Sequence, residues 1–222
     1  MAGLILLSGG LDSTVAASLY KAAGGEARLG LFIDYGQRAV EREELAAIAV
    51  GQALGFEVLC TSVPLLGALA GNALIDGKLP LPCPGPGELE GAAAAASADA
   101  VWIPNRNGVL LNLAAAVAEA HELELVIVGF NKEEAATFPD NSADYLDALN
   151  ASLVSSTRAR VRVEAPTLHM TKAELYAAGR AVEAPLELTW SCYDGGEQPC
   201  GECESCRRRS RAEQAFEASG GA

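Results

Sequence analysis

Two short stretches of this 222-residue chain carry side chains that can do chemistry. The first is Ser8-Gly9-Gly10-Leu11-Asp12-Ser13-Thr14, which follows an apolar run and opens an amphipathic one. Glycines let a backbone approach an anion closely, hydroxyls and free N–H groups donate to phosphate oxygens, and a helix N-terminus adds a positive dipole end. The stretch therefore reads as a phosphate cradle rather than a plain glycine turn. A Walker loop would need a lysine that this stretch lacks, and a G-x-G-x-x-G dinucleotide fingerprint would need a third glycine. The second stretch holds Cys192, Cys200, Cys203 and Cys206 in the order C-x7-C-x2-C-x2-C. Two adjoining C-x2-C steps let three thiolates converge on one ion, and Cys192 can fold back across Gly195-Gly196 as the fourth ligand. Four thiolates leave zinc no open position, so the expected zinc is structural.

A scaffold has to hold these two stretches in place, and apolar runs alternating with amphipathic ones predict it. The fold class is α/β, a Rossmann-like parallel sheet with helices on both faces, plus a small C-terminal zinc-binding loop and helix. Strands are expected over Gly3–Leu7, Arg28–Ile33, Phe56–Thr61, Leu123–Val128 and Val161–Val163. Helices are expected over Asp12–Ala23, Ala39–Leu54, Asn107–Ala120 and Ser142–Ser155. Thr171-Lys172-Ala173-Glu174 has capping-box spacing and starts another, which runs to about Val182. Residues 76–100 cluster Pro and Gly before an alanine run and read as a mobile excursion, a passive loop or a lid, with the alanines helical on closure. Residues 1–185 are read as the nucleotide domain and 186–222 as the zinc segment. Cys60, in a strand, is expected in the core, and Cys83 is expected to be incidental.

Sixteen basic against 29 acidic residues give a net charge of −13, which opposes non-specific attraction to nucleic acid or anionic membrane. Neither a signal peptide nor a membrane span is recognisable, so a cytoplasmic protein is expected, with its cysteines reduced. Arg207, Arg208, Arg209 and Arg211 form one basic cluster, expected on a solvated helix face or near the zinc thiolates rather than on RNA. His121 and His169 lack ligand spacing and are given no role.

S-G-G-x-D-S-[ST] directly after a first strand resembles the pyrophosphate loop of the N-type ATP pyrophosphatases, which transfer AMP from ATP to an oxygen of the substrate. Further landmarks follow in order: Asp34-Tyr35-Gly36-Gln37-Arg38, Pro104-Asn105-Arg106-Asn107, Glu164-Ala165-Pro166, Lys172-Ala173-Glu174 and Thr189-Trp190-Ser191-Cys192-Tyr193. With the cysteine loop, their order and spacing resemble the 7-cyano-7-deazaguanine synthases, the QueC family, over nearly the whole chain.

That resemblance implies a ligase using ATP, Mg²⁺ and ammonia to convert 7-carboxy-7-deazaguanine to the 7-cyano compound, first through an amide. It implies ATP binding by Ser8, Gly9, Gly10, Leu11, Asp12, Ser13, Thr14 and Asp34, and a catalytic set of Asp12, Arg106 and Lys172. Tyr35 and Arg38 would line the base pocket, with Asn131, Lys132, Glu133, Phe138 and Asp140 also facing substrate. A homodimer is the family expectation; direct contact with nucleic acid or membrane is not. Many members carry Y-P-D-C-R after the fourth strand, whereas this chain keeps only Pro139-Asp140 of it. The departure is read as a subfamily using Asn131, Lys132 and Glu133 instead. Competing readings are an enzyme that stops at an amide on another amine, such as a protein N-terminus, a tRNA sulfurtransferase, and a non-catalytic nucleotide-binding module.

Overall fold

The computed structural model describes residues 1–69, 71–85 and 87–221. Pro86, inside the predicted excursion, and Ala222, at the end of the predicted zinc segment, lie outside the described residues.

Apolar tetrads such as Leu4-Ile5-Leu6-Leu7 and Leu125-Val126-Ile127-Val128 suit strands covered on both faces. Five strands form: β1 (Ala2–Leu6), β2 (Glu26–Asp34), β3 (Glu57–Ser62), β4 (Leu125–Ile127) and β5 (Arg162–Glu164). They make one sheet in the order β3-β2-β1-β4-β5, and every neighbouring pair is parallel. Successive side chains point to opposite faces. Leu4, Leu31, Ile33 and Val126 pack on one face against Leu111, Ala114 and Ala118 of α5 (Arg106–Ala120) and Leu149 and Leu153 of α7 (Ala143–Ser156). Ile5, Phe32 and Ile127 pack on the other against Ala16 and Ala17 of α1 (Leu11–Ala22) and Ala47 and Val50 of α2 (Val40–Leu54).

The chain lays β2 and β3 on one side of β1, then crosses to place β4 and β5 on the other. Such a reversal opens a crevice at the carboxyl ends of β1 and β4, the place where open α/β sheets bind ligands. Helix α8 (Lys172–Ala181) seals one flank through Leu175, which packs on Leu11 and Val15 of α1. Gly179 permits that approach, since a Cβ there would meet Val15 Cγ2 at 2.7 Å.

Predicted strands and helices shift by at most two residues at their ends. Short α3 (Pro64–Leu69), α6 (Lys132–Ala135) and two 3₁₀ turns, Pro139–Asn141 and Leu186–Leu188, add to them. The alanine run forms α4 (Gly91–Val101), and the C-terminal helix is α9 (Glu204–Ala218). Cys60 is exposed, against expectation, because β3 is an edge strand with a neighbour on one side alone. Two points of the 76–100 excursion are tied to α9: Pro82 O accepts from Glu204 N (3.0 Å), and Leu89 O from Arg208 Nη2 (3.0 Å). No helix among the described residues is long and apolar enough to cross a membrane.

Candidate active site and metal centre

The crevice holds a cavity of about 270 Å³ lined by the glycine loop, the end of β4, the α5 N-terminus and Lys172. Gly9 has φ +75°, and a Cβ on it would lie 2.4 Å from Glu43 O, so glycine is needed for the loop to press against α2. Gly129 is needed likewise: its Cβ would lie 2.4 Å from Ser13 N. Within the loop, Ser13 Oγ and Thr14 Oγ1 donate to Gly10 O (3.2 and 2.9 Å), and Gly10 N donates to Ser8 Oγ (3.3 Å). Gly10, the N-cap of α1, makes no side-chain cap. The first-turn N–H groups of α1 therefore suit an anion.

Four predicted residues converge behind the loop. Lys172 Nζ donates to Asp12 Oδ2 at 2.5 Å and Glu134 Oε1 at 3.4 Å. The predicted capping box between Thr171 and Glu174 is present and fixes where α8 begins, which places Lys172 in its first turn. Asn131 N-caps α6, accepting from Glu133 N and Glu134 N, and its Nδ2 donates to Asp12 Oδ2 (3.2 Å). Glu133 Oε1 accepts from Lys172 N (2.8 Å), and its Oε2 from Arg208 Nη1 and Arg211 Nη2 (both 2.9 Å).

Burial lifts the Asp12 carboxyl to about 6, against the pull of Lys172. Burial acts the same way on Glu134, but Lys172, the Asn131 amide and Arg106 outweigh it and hold that carboxyl below its usual range. Burial opposes the charge on Lys172, yet the two carboxylates raise its pKa. Two carboxylates sharing one ammonium titrate as a unit. Asp12 Oδ1 is buried with no partner among the described residues, a hard oxygen suited to a magnesium ion carried by phosphates.

Asn105, in the left-handed region at φ 53°, turns the chain into α5. Arg106 then lies 5.5 Å over the Tyr35 ring and donates to Tyr35 OH (3.4 Å) and Asn107 Oδ1 (3.3 Å). Among the described residues no carboxylate comes within 4.0 Å of it. Its direct partners are neutral, so the guanidinium keeps donors free for an anionic ligand. Asp140 Oδ2 accepts from Asn107 N (3.1 Å), and Phe138 stacks on Trp102 with centroids 5.9 Å apart.

Other predicted residues lie elsewhere. Asp34 Oδ1 accepts from Gly36 N (2.7 Å) in a local turn and does not line the cavity. Arg38 also stays outside, its guanidinium held by Ala73 O, Leu79 O and Asp194. Lys132 is exposed, and Thr14 is buried within α1. Instead of a solvated face, the C-terminal arginines form a clamp: Arg208 and Arg211 grip Glu133, and Arg209 grips Glu213 and Thr189.

Sequence reasoning missed Glu43, Glu134 and Asn141, all of which line the cavity. Glu43 accepts from Gln37 Nε2 (2.9 Å), and burial pushes its carboxyl up to about 7. Between the ordinary value of 4.5 and about 7 the folded state keeps a proton that the unfolded state gives up. Stability then falls as pH rises through that window and levels off above it. Glu43→Gln keeps the hydrogen-bond acceptor and removes the ionisation. Urea titrations are expected to show it about 2 kcal/mol more stable than the parent at about pH 8 and equal to it at about pH 4. Equal stability at both pH values would contradict the raised carboxyl.

In the candidate metal centre the Sγ atoms of Cys192, Cys200, Cys203 and Cys206 all lie within 4.8 Å of one another. Cys192–Cys200 is 3.5 Å, Cys200–Cys206 4.0 Å and Cys192–Cys203 4.0 Å. Sulfurs around tetrahedral zinc sit about 3.8 Å apart at a Zn–S distance of about 2.3 Å, so the set fits. Asp194 N and Cys200 N donate to Cys192 Sγ (both 3.3 Å), the pattern that steadies a thiolate. A Cβ on Gly195 would lie 2.5 Å from Arg38 O, so this loop packs directly on the entry to α2.

A parallel sheet with a glycine loop at its switch point and a separate cluster of four cysteines that could hold a metal has a PP-loop-like α/β fold. A solved structure described as a predicted subunit of tRNA methyltransferase from Methanocaldococcus jannaschii shares the fold, with TM-score 0.50, 16% identity, and coverage of 81% of this chain and 74% of that one. The profile described as "Queuosine biosynthesis protein QueC" matches residues 2–218, and the chain belongs to that family. The 7-cyano-7-deazaguanine synthase of Pelotomaculum thermopropionicum is 46% identical over 213 residues, 96% of each chain. That of Methanosarcina mazei is 43% identical over 216 residues, 96% of this chain and 93% of that one.

Proposed function

We propose that this chain is an ATP-dependent carbon–nitrogen ligase that makes 7-cyano-7-deazaguanine from 7-carboxy-7-deazaguanine and ammonia. The observation that carries the reading is one cavity holding the glycine loop, the Asp12–Lys172–Glu134 set and Arg106, which makes no direct ion pair among the described residues. Extensive likeness to proteins named for that synthesis supplies the substrate.

A carboxylate oxygen is a poor leaving group, and bonding it to the α-phosphorus of ATP, with loss of pyrophosphate, makes it a good one. Ammonia then adds at the carbonyl carbon and AMP departs, leaving the amide. In the second round the amide oxygen takes AMP with loss of pyrophosphate, and departure of AMP with loss of both protons from nitrogen leaves the nitrile. Lys172 and the α1 N-terminus stabilise charge building on the departing pyrophosphate, and Arg106 holds the anionic reactants together. Asp12 would hold magnesium, which supplies further neutralisation of phosphate charge. Zinc would sit on the four cysteines, away from the chemistry. With those four cysteines gathered into one site, the remaining Cys60 and Cys83 are exposed and do not line the cavity, which disfavours sulfur transfer. The small-molecule partners, the homodimer and a cytoplasmic setting follow from the same reading.

Incubation with Mg-ATP, ammonium and 7-carboxy-7-deazaguanine, followed by mass spectrometry, is expected to give nitrile and AMP in a molar ratio of about 1:2, as two adenylations require. Amide without nitrile would support the reading in which the enzyme stops at an amide, and absence of AMP would overturn adenylation altogether.

A further inference from the structure

Asp140 is a buried carboxylate, 6% exposed, on the wall of the cavity. Its place is fixed by the 3₁₀ turn Pro139–Asn141 and by Asn107 N, which donates to Oδ2 (3.1 Å). Oδ1 is buried with no hydrogen-bond partner among the described residues. A buried acceptor left empty costs free energy unless a ligand fills it. Around it the cavity offers flat apolar walls, the stacked Trp102–Phe138 pair together with Ile103 and Phe130. A planar ring with N–H donors on one edge matches both features.

The neighbouring side chains set the direction. Asn141, next in sequence, donates to Glu134 Oε2 (3.2 Å), and Glu134 Oε1 meets Lys172, which holds Asp12. Asp140 thus lies at one end of a polar row whose other end is the phosphate loop. In 7-carboxy-7-deazaguanine the reacting carboxylate is on the five-membered ring, and the N1–H and 2-amino donors lie on the far edge of the six-membered ring. With the carboxylate at Asp12 and Lys172, that donor edge faces the other end.

Resting on the synthase reading above, the geometry points to Asp140 as the specificity-determining residue that accepts hydrogen bonds from the 2-aminopyrimidinone edge of the substrate. A 6-oxopurine-like ring without the 2-amino group would leave the carboxylate half-empty. A ring with an acceptor in place of N1–H would meet it with like polarity and be rejected. Phe138 and Trp102 supply the apolar wall but carry no information about that edge.

The test compares 7-carboxy-7-deazaguanine with its 2-deamino analogue as substrates for AMP release by the zinc-loaded full chain, parent and Asp140→Asn. The parent protein is expected to favour the 2-amino substrate by about 100-fold in kcat/KM, less than the ~10,000-fold of a site left wholly without its donor, because N1–H still reaches the carboxylate. Asp140→Asn is expected to collapse that preference to within about threefold, through KM for the base, with KM for ATP and zinc content unchanged. Equal use of both substrates by the parent overturns the assignment without any variant. Equal loss on both substrates in Asp140→Asn overturns it too, by showing that the residue serves folding or chemistry alone. Failure of the parent to release AMP with either base overturns the synthase reading, and this assignment with it.

Discussion

Lys172→Met lowers the rate of AMP release by about 1,000-fold or more, the largest catalytic effect expected of a single substitution here. The ammonium is the cation shared by Asp12 and Glu134, so its removal has two consequences. Charge building on the departing pyrophosphate loses its fixed counter-charge. Asp12 and Glu134, partly buried, also lose their common partner, at a cost below the ~3–5 kcal/mol of breaking a fully buried pair. That second cost depends on pH with a definite sign. Burial already lifts Asp12 to about 6, and without the lysine its carboxyl rises further in the folded state. A raised carboxyl pKa means that stability is retained at low pH and lost as pH rises. Denaturation at about pH 5 and about pH 8 should therefore show the variant close to the parent at the lower pH and markedly weaker at the higher. A variant equally destabilised at both, or one that keeps AMP release, would contradict the role given to Lys172.

Cys203→Ser, or removal of metal by a chelator, has the second large effect. Cys203 is fully buried, N-caps α9 and sits among the other three sulfurs. Zinc held by four thiolates contributes about 10–16 kcal/mol of apparent binding free energy in small domains, so its loss releases the start of α9. The same helix carries Arg208 and Arg211, which grip Glu133, and Glu133 Oε1 in turn holds Lys172 N. Metal loss is thus expected to abolish AMP release although no cysteine lines the cavity. Metal analysis should find about one zinc per chain in a colourless protein, and zinc added back after chelation should restore activity. Visible absorption from an iron–sulfur cluster, or full activity in metal-free protein, would contradict this account.

The scaffold was legible because its signals are local. Four-residue apolar runs, Gly55 in the left-handed conformation after α2, and the Thr171–Glu174 capping box each act within a few residues of chain. What escaped depends on distant pairing. The letters of β3 do not say that it is an edge strand, so the sequence alone puts Cys60 in the core while the fold exposes it. Arg208 reads as a surface cation until Glu133, 75 residues away, is brought to it. Arg38 follows a strand end, as a pocket residue should, but pairs with Leu79 O and Asp194 instead. Glu43 and Glu134 stand among other acidic residues on helices, and burial alone distinguishes them. The altered segment after β4 is intelligible once folded: Asn131 caps α6 and steadies Asp12, Glu133 ties that turn to α9, and Asp140 stays in the cavity.

Oxygen transfer tests the central claim most directly, that this cavity activates the substrate's own carboxylate by adenylation. With both carboxylate oxygens of 7-carboxy-7-deazaguanine labelled with ¹⁸O, each adenylation carries one labelled oxygen away on AMP. The account predicts one ¹⁸O in the AMP released at each of the two steps, and a nitrile free of oxygen label. Unlabelled AMP, or ADP and phosphate in its place, would contradict it.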